Sequence, residues 1–253
     1  MARCFRSSPR SPAGVETGHR PSTLAIPADL NRMVAPSDAA RELLRDALAR
    51  RYRYPADFPG FSALCRFGPT GTDEIGATVA LVGPGDAEAV LEREAPHVAQ
   101  GEWLIQELRA LSRQLWGHDF DRGEGKFAMS LDDSPHPLGQ LVLLHDDPHQ
   151  ATFRVRKGRI TMASRRQHTL LEIMRCDRWH LRPDGRWLPA QFTVEIWDDG
   201  VSGPIRCDRY WDLYWPVDGE LYPQLRRVET TDRLGSVTMT SLTLRAWQLA
   251  QHC

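Results

Sequence analysis

From Gly125 to the end of the chain, short strand-like segments alternate with turn sequences almost without interruption. The turns are rich in glycine, proline and aspartate, as in "KG", "RPDG", "DDGVSG" and "PVDGE". Strands joined by such short turns pair with each other in antiparallel fashion. This pattern therefore predicts an antiparallel meander rather than a sheet built from β-α-β units.

The part of the chain before the meander begins with one helix and one hairpin. From Ser37, apolar residues recur at helical spacing, which predicts an N-terminal helix that Pro55 limits to about Tyr52. The period changes to two in residues 61–67 and 75–81. These two segments predict a hairpin that is joined through the sequence "GPTGTDE".

Two further helices are expected between this hairpin and the meander. They cover residues 86–95 and 98–116, with Pro96 between them, and leucines line one face of the second helix. In the last strand, the apolar residues change parity, which predicts a bulge near Thr240 to Ser241.

The number of strands limits the shape of the sheet. The hairpin and the meander together make about ten or eleven strands, which is more than a flat open sheet holds without curling. The sequence thus predicts an α+β fold. Its core is a strongly curved antiparallel β-sheet, a half-barrel, with an N-terminal helix and one or two helices covering it.

The first residues of the chain differ in composition from the rest. Arginine, serine, proline and glycine dominate, and no apolar segment suited to a secretory signal is present. We therefore expect a disordered tail over residues 1–36, with Met33 as an alternative start, followed by a single domain over residues 37–253.

Composition argues against several classes of partner. The formal net charge of -1 provides no basic excess for binding nucleic acid. The five cysteines are odd in number and form no CxxC pair, which fits a reduced, cytoplasmic compartment. No segment approaches the roughly 18 apolar residues of a membrane span. No dinucleotide-binding, P-loop or zinc-protease motif is present either, and no cofactor is expected.

The segment "HDDPH" contains the residue types of a metal site. Its histidines, His145 and His149, are four residues apart, which is about 13 Å on a straight strand and too far for both to bind one ion. A metal site would need a folded loop and a third ligand to which the sequence does not point. The alternative is a polar hairpin turn, in which aspartate before proline starts the turn.

Two segments carry candidate acid or base residues. In "PIRCDRYWDLYW", apolar side chains occupy one parity, and Asp208, Tyr210 and Asp212 lie on the other. The two carboxylates are about 13 Å apart on a strand, so catalysis would need partners from other strands. The alternative is a solvated or cross-strand-paired face. His136, between two prolines in "SPHPLG", either points into a cavity or belongs to a rigid strand entry.

The chain contains eight tryptophans. Each large aromatic side chain buries about 150 to 250 Å², so most of them must be covered. Either they fill the core between sheet and helices, or some line a cavity of the curved sheet. The candidates for such a cavity are four residues of the meander: Trp179, Trp197, Trp211 and Trp215.

Several segments carry a family resemblance. They are "DAARELLRDALARRYRYPADFPGFSALCRF", "HPLGQLVLL", "FRVRKGRITMASR" and "LPAQFTVEIWDDG". From about Ser37 to its C-terminus, the chain resembles family 3386, a domain of unknown function from cyanobacteria and plastids. The resemblance implies a photosynthetic-cell setting and a cytoplasmic domain but no activity. More distantly, the order of elements is similar to the lipoprotein-carrier half-barrel, a fold that holds acyl chains in its concave face.

Three functional hypotheses follow from these observations. The first is a non-enzymatic binder, carrier or assembly factor for a hydrophobic or amphipathic small molecule, which lies in the concave sheet. The second is an enzyme that acts on such a ligand with acid/base residues in the cavity. The third is a protein-interaction module, which a contiguous patch of exposed aromatic residues would mark.

Removing residues 1–32 is expected to leave the fold intact, because these residues precede the first ordered element. Cutting into residues 52–67 is expected to destroy it, because this segment connects the first helix to the first strand. Circular dichroism and thermal unfolding of the two truncated proteins measure both effects. Loss of cooperative unfolding after removal of residues 1–32 alone would contradict the predicted boundary.

Overall fold

Twelve antiparallel strands form one sheet in the computed structural model, which describes residues 35–92, 98–132 and 134–250. The strands are β1 (Phe61–Pro69), β2 (Ile75–Gly83), β3 (Asp86–Leu91), β4 (Ala128–Asp132), β5 (Gln140–His145), β6 (Thr152–Arg156), β7 (Arg159–Gln167), β8 (Leu170–Leu181), β9 (Trp187–Asp198), β10 (Pro204–Val217), β11 (Glu220–Asp232) and β12 (Val237–Leu249). Their order in the sheet is β3-β2-β1-β12-β11-β10-β9-β8-β7-β6-β5-β4. The first hairpin therefore attaches to the last strand, and the chain returns to its start.

Two α-helices accompany the sheet in the described part of the chain. They are α1 (Asp38–Ala49) and α2 (Val98–Trp116), and a short 3-10 helix covers Glu124–Lys126. The sheet is not closed, since β3 and β4 form its edges. The predicted α+β half-barrel is thus confirmed, with twelve strands instead of ten or eleven. The expected tail lies outside the described residues as far as residue 34.

The extra strand is β3, where the prediction of a helix over residues 86–95 is wrong. Residues 86–91 form a strand that pairs with β2. Its burial alternates, with Ala87 buried and Asp86 and Glu88 exposed. The alanines and glutamates favour a helix locally, but a short turn brings this segment back against β2, and the paired strand prevails. Residues 93–97, and with them Pro96, lie outside the described residues.

Both helices lie on the same side of the sheet, which we call the helix face. Residues directly opposite each other in antiparallel strands share a face, and one such row runs from Val142 through Phe153 to Asp208. Val142 and Phe153 pack in the core under α1. Asp208 interacts electrostatically with Glu107 of α2. The opposite parity of each strand forms the second surface, which we call the open face.

Each helix has a core of its own on the helix face. The core under α1 contains the buried residues Ala40, Leu44, Ala47, Leu48, Phe120, Met129, Val142, Leu144, Phe153, Val155, Ile160 and Trp187. The core under α2 includes Leu104, Leu108, Leu111, Leu115, Phe61, Phe67, Ile75, Leu81, Leu242 and Leu244. The amphipathic patterns of the two helices and of the first hairpin thus correspond to buried surfaces, as their periods predict.

The segment between α1 and β1 is fixed by two tyrosines. The hydroxyl of Tyr52 donates to Glu220 Oε2 (2.5 Å) and accepts from the backbone N–H of Leu221 (2.9 Å). The hydroxyl of Tyr54 donates to the carbonyl oxygen of Leu221 (2.6 Å). At the entry to β1, Gly60 has a φ of 87°, and a Cβ there would lie 2.4 Å from a carbonyl oxygen of β2. The segment therefore has a structural role.

Helix α1 ends at Ala49, three residues before the predicted end at Tyr52. The backbone beyond it pairs with β9. The carbonyl of Arg50 accepts from the N–H of Trp187 (3.0 Å), and the N–H of Tyr52 donates to the carbonyl of the same tryptophan (2.8 Å). Because of these bonds, the helix ends several residues before Pro55 would end it.

The bulge predicted near Thr240 to Ser241 is wrong in position. The pairing of β11 with β12 runs without a shift through those residues. The register of β12 instead shifts against β1 near Ala246, which has a φ of 54°. The apolar residues change parity because Met239 belongs to the open face, whereas Leu242 is buried on the helix face. The change of parity thus marks the point where the apolar side chains of β12 change from the open face to the helix face.

The substitution Leu44→Ala is expected to lower the free energy of unfolding by about 2 to 5 kcal/mol, because Leu44 is fully buried between α1 and the sheet. Glu42→Ala on the same helix is the control. Its side chain is exposed, and a change within about 0.5 kcal/mol is expected. Urea denaturation measures both. Equal losses would contradict the placement of α1.

Candidate functional site

The strands β9 and β10 separate from each other at one end. Their pairing runs from Pro204 and Trp197 to Trp211 and Gln191, where it stops. Residues 187–190 of β9 continue to pair with β8, and residues 212–217 of β10 continue with β11. A gap therefore opens in the middle of the sheet.

Pro189 supplies a local reason for this separation. It lies in β9 just before Gln191, and it has no backbone N–H to donate to a neighbouring strand. Its carbonyl oxygen accepts from the side-chain amide of Gln114 of α2 (3.3 Å). The hydroxyl of Tyr214 of β10 also donates to this oxygen (3.4 Å), so the carbonyl of Pro189 is bonded to side chains and not to the backbone of β10. A proline inside the run "LPAQFTVEIW" is the sequence signal that indicates such a gap.

A cleft of about 590 Å³ lies at the gap and extends across the open face. It is lined by Arg178, Trp179, His180, Ala190, Gln191, Trp211, Asp212, Leu213, Tyr214, Leu225, Arg227, Glu229 and Met239. The lining combines two half-buried tryptophans, two leucines and a methionine with charged side chains. We call it the β9–β10 cleft.

The β9–β10 cleft contains two arginines and two carboxylates, and both carboxylates are already paired with arginines outside the lining. The carboxylate of Glu229 is bound by Arg209 at 3.0 Å. Arg178 and Arg227 are exposed, and neither guanidinium forms an ion pair with a described residue. Burial, followed by the charge of a neighbouring arginine, lowers the pKa of His180, which keeps this imidazole neutral at pH 7. Two arginines thus remain available to a negatively charged group.

Behind the cleft, on the helix face, lies a buried ionic cluster of Arg226, Asp212, Glu107, Gln114 and Tyr214. The guanidinium of Arg226 donates to both oxygens of Asp212 (2.8 and 2.6 Å), to Glu107 Oε2 (3.1 Å) and to Gln114 Oε1 (3.0 Å). The hydroxyl of Tyr214 donates to Asp212 (3.1 Å) and accepts from Gln114 (2.6 Å). The cluster ties α2 to β10 and β11.

Burial determines the electrostatics of this cluster. Only 1% of the Arg226 and Asp212 side chains is exposed. Burial opposes the charged form of Arg226, but Asp212 and Glu107 outweigh it and raise the pKa of the guanidinium. Burial also raises the pKa of Glu107, although Arg226 acts in the opposite direction. Arg226 is therefore held firmly in its charged form, whereas Glu107 is held less firmly in its own.

The other two candidates on β10 also have partners. Asp208 is buried and accepts from Arg206 Nε (2.9 Å) and from the hydroxyl of Thr230 (2.7 Å). The ring of Tyr210 stacks on Phe192, with centroids 4.6 Å apart. The two carboxylates of this parity are thus buried and paired, whereas Arg206 at its start is exposed.

The remaining histidine candidates lie in turns. His136 accepts at Nδ1 from the N–H of Leu138 (3.1 Å), so this histidine stabilises its own turn. In "HDDPH", Asp147 Oδ1 accepts from the N–H of His149 (3.1 Å), and its Oδ2 accepts from that of Ala151 (2.7 Å). Such bonds build the polar hairpin turn that was the alternative to a metal site. Within the described ranges, no three His, Cys, Asp or Glu residues are grouped as metal ligands.

The structure brings together two of the four tryptophans that the sequence suggests. Trp179 and Trp211 both line the β9–β10 cleft. Trp197 is outside it and donates from Nε1 to Glu195 (3.2 Å). Trp215 is also outside it and is 53% exposed. The contribution of Arg178 was not predicted, because charged residues on a strand carry no signal that a cleft lies beside them.

Comparison with known proteins gives a family and slight structural likenesses. The model of the family described as "Protein of unknown function (DUF3386)" matches residues 35–249. No curated protein matches the chain. Among the described residues, no helix has both the length and the apolar character needed to span a membrane.

Three solved structures are similar in outline. A LolA superfamily protein from Nitrosomonas europaea has 14% identity and a TM-score of 0.38, with 85% of this chain and 94% of that chain covered. A putative outer membrane lipoprotein-sorting protein domain from Vibrio parahaemolyticus has 10% identity and a TM-score of 0.37, with 83% and 92% covered. A DUF1329 family protein from Desulfovibrio piger has 9% identity and a TM-score of 0.31, with 85% and 93% covered. Likeness of this degree says nothing about what the chain binds.

The substitution Arg226→Met is expected to lower the free energy of unfolding by about 3 to 5 kcal/mol, because it leaves Asp212 buried without its cation. The double substitution with Asp212→Leu is expected to recover part of this loss. The control is Arg165→Met, which breaks an exposed pair with Glu172 and should cost less than about 1 kcal/mol. Urea denaturation of the unchanged protein, of both single variants Arg226→Met and Asp212→Leu, of the double variant and of the control measures the coupling. Additive losses at positions 212 and 226 would contradict the ionic cluster.

Proposed function

The chain belongs to the DUF3386 family, whose description assigns no activity, and we propose that it binds an amphipathic small molecule in the β9–β10 cleft as a carrier or assembly factor. The observation that carries this proposal is the cleft itself. Its volume of about 590 Å³ is within the range of roughly 300 to 1,000 Å³ that is typical of small-molecule sites.

The apolar part of the lining suits a hydrophobic body. Trp179, Trp211, Leu213, Leu225 and Met239 come from four different strands and meet at the cleft. Covering the exposed apolar surface of such side chains is favourable by about 25 cal/mol per Å². Trp179 also packs against the core under α1, which holds its ring in place for a ligand.

The charged part of the lining suits an acidic group. Arg178 and Arg227 present guanidinium groups that have no carboxylate partner among the described residues. Guanidinium groups bind carboxylates and phosphates through two parallel hydrogen bonds, and a bond of this kind is stronger than a neutral one. We therefore expect the ligand to be an acid with an apolar or ring-shaped body.

The positions of the acid/base candidates favour binding over catalysis. Of His136, Asp208, Tyr210 and Asp212, only Asp212 is among the residues that line the cleft. Both of its oxygens accept from Arg226, so this carboxylate is not free to act as a base. Catalysis in the cleft would instead have to use the half-buried imidazole of His180, which the sequence did not single out.

The proposed compartment is the cytoplasm. Cys65, Cys176 and Cys207 are free thiols, and the first two are buried. Burial raises the pKa of the Cys65 and Cys176 thiols to about 12, so that both stay protonated and unreactive at neutral pH. Free, inert thiols support a reduced compartment.

Native mass spectrometry of the protein purified from its own host is expected to show a bound acidic small molecule. Trp211→Leu should reduce its occupancy, because it removes a ring from the cleft. Trp197→Leu, a matched change outside the cleft, should retain it. The double variant Arg178→Gln/Arg227→Gln should also lose the ligand, whereas Arg165→Gln, at an exposed site outside the cleft, should not. A protein that carries no small molecule, or a loss caused by Trp197→Leu alone, would contradict the proposal.

A further inference from the structure

A second cavity lies at the end of α1, and it shares no residue with the β9–β10 cleft. Its volume is about 430 Å³. Four of its eight lining residues are arginines; the lining consists of Arg45, Ala49, Arg51, Arg53, Asp119, Phe120, Asp121 and Arg186. We call it the arginine pocket. With two aspartates against four arginines, the lining has a formal excess of two positive charges.

The ion pairs of the described residues leave part of this charge uncompensated. Arg45 makes one loose pair with Asp121, at 3.6 Å, and both side chains are exposed. Arg186 is paired with Asp184 at 2.7 Å. The guanidinium groups of Arg51 and Arg53 form no ion pair with any described residue, and both donate only to backbone carbonyls.

The position of the Arg53 guanidinium is explained by its bonds within the fold, whereas that of the Arg51 guanidinium is not. The guanidinium of Arg53 donates to the carbonyls of Leu48 (3.0 Å) and His118, and the first of these lies at the C-terminal end of α1, where a cation is favourable. Arg51 donates to a single carbonyl, that of Gln114 (3.2 Å), and its Nε is enclosed without a partner. Burying a guanidinium without an anion is unfavourable.

The pKa of Arg51 also indicates that its guanidinium lacks an anionic partner. Burial lowers the pKa of this guanidinium, and the positive charge of Arg53 lowers it further. Glu124 acts in the opposite direction but is not within ion-pair distance of Arg51. An anion in the arginine pocket would favour the charged form of Arg51 and reduce the repulsion between Arg51 and Arg53.

The side chains that surround the cavity are held in place from behind. The guanidinium of Arg186 lies 5.3 Å from the ring centre of Tyr52, and that of Arg45 lies 5.1 Å from the ring centre of Phe120. Such contacts restrict the arginines before a ligand arrives, which lowers the entropic cost of binding. Two of the four arginines are thus restrained by aromatic rings.

We propose that the arginine pocket, formed by Arg45, Arg51, Arg53 and Arg186, binds a phosphate group, either free or as the head of a larger molecule. Several guanidinium groups around one cavity match a compact oxyanion with two negative charges better than a single carboxylate. The volume exceeds that of inorganic phosphate and leaves room for a small esterified group.

The test is isothermal titration calorimetry of the full-length protein with inorganic phosphate and with glycerol 3-phosphate, at constant ionic strength set with chloride. Flotation with phosphatidylcholine vesicles, with and without phosphatidic acid, forms the second arm. Binding of the soluble phosphates at one site per chain identifies a free phosphate or phosphate ester. Binding only to vesicles that contain phosphatidic acid identifies a lipid headgroup, and both results support the proposal.

Two variants and one control make the test specific. Arg45→Gln changes a half-exposed side chain with one loose ion pair, so it should leave the fold intact and weaken binding about tenfold. Arg51→Gln should weaken binding more, and it should leave the protein folded, because it removes an enclosed charge that has no carboxylate partner. Arg165→Gln removes the same charge from an exposed pair elsewhere and should leave the affinity unchanged. No binding of any probe, or an equal loss in Arg45→Gln and Arg165→Gln, overturns the proposal.

Discussion

The contact on which the rest of the structure depends is the buried pair of Arg226 and Asp212. These residues face each other directly on β11 and β10, where a hydrophobic core would normally exclude charge. Their removal from water is compensated only if every donor and acceptor finds a partner, and Glu107 and Gln114 of α2 provide two of these partners. The position of α2 on the sheet is therefore fixed by directional bonds as well as by the leucines beside it.

This interaction also explains why the sequence alone could not show which face of β10 is buried. Alternation in "PIRCDRYWDLYW" separates an apolar from a polar parity, and a hydrophobic pattern alone would bury the apolar one. The structure buries Asp208 and Asp212 and leaves Leu213 and Trp215 more than half exposed. Partners that are distant in the sequence decide this outcome, because Glu107 precedes the strand by about a hundred residues. Local periodicity contains no information about them.

Local sequence pattern predicts some other features of the structure and not others. The half-barrel, the helices Asp38–Ala49 and Val98–Trp116 and the first hairpin follow from periodicity and turns, because these signals act over a few residues. The strand Asp86–Leu91 does not follow from local pattern, because its alanines and glutamates favour a helix, whereas a short turn places them beside β2 and they pair with it. The sequence left open whether the tryptophans fill the core or line a cavity, and of the four candidates Trp179 and Trp211 line the cleft. The gap beside Pro189 did not follow from the pattern, because it depends on where the pairing of β9 with β10 ends.

The incomplete pairing of β9 with β10 has a mechanical consequence. It divides the sheet into a block of β4 to β9, on which α1 packs, and a block of β10 to β12 and β1 to β3, on which α2 packs. The seam between the blocks holds ladder bonds only from Pro204 to Trp211. Beyond Trp211 the blocks are joined through side chains, because Gln114 and Tyr214 both donate to the carbonyl oxygen of Pro189. The width of the opening is then set by the angle between the blocks. The segment of Tyr52 and Tyr54 bridges the two blocks, since the backbone of Tyr52 bonds to β9 and both tyrosine hydroxyls bond to β11.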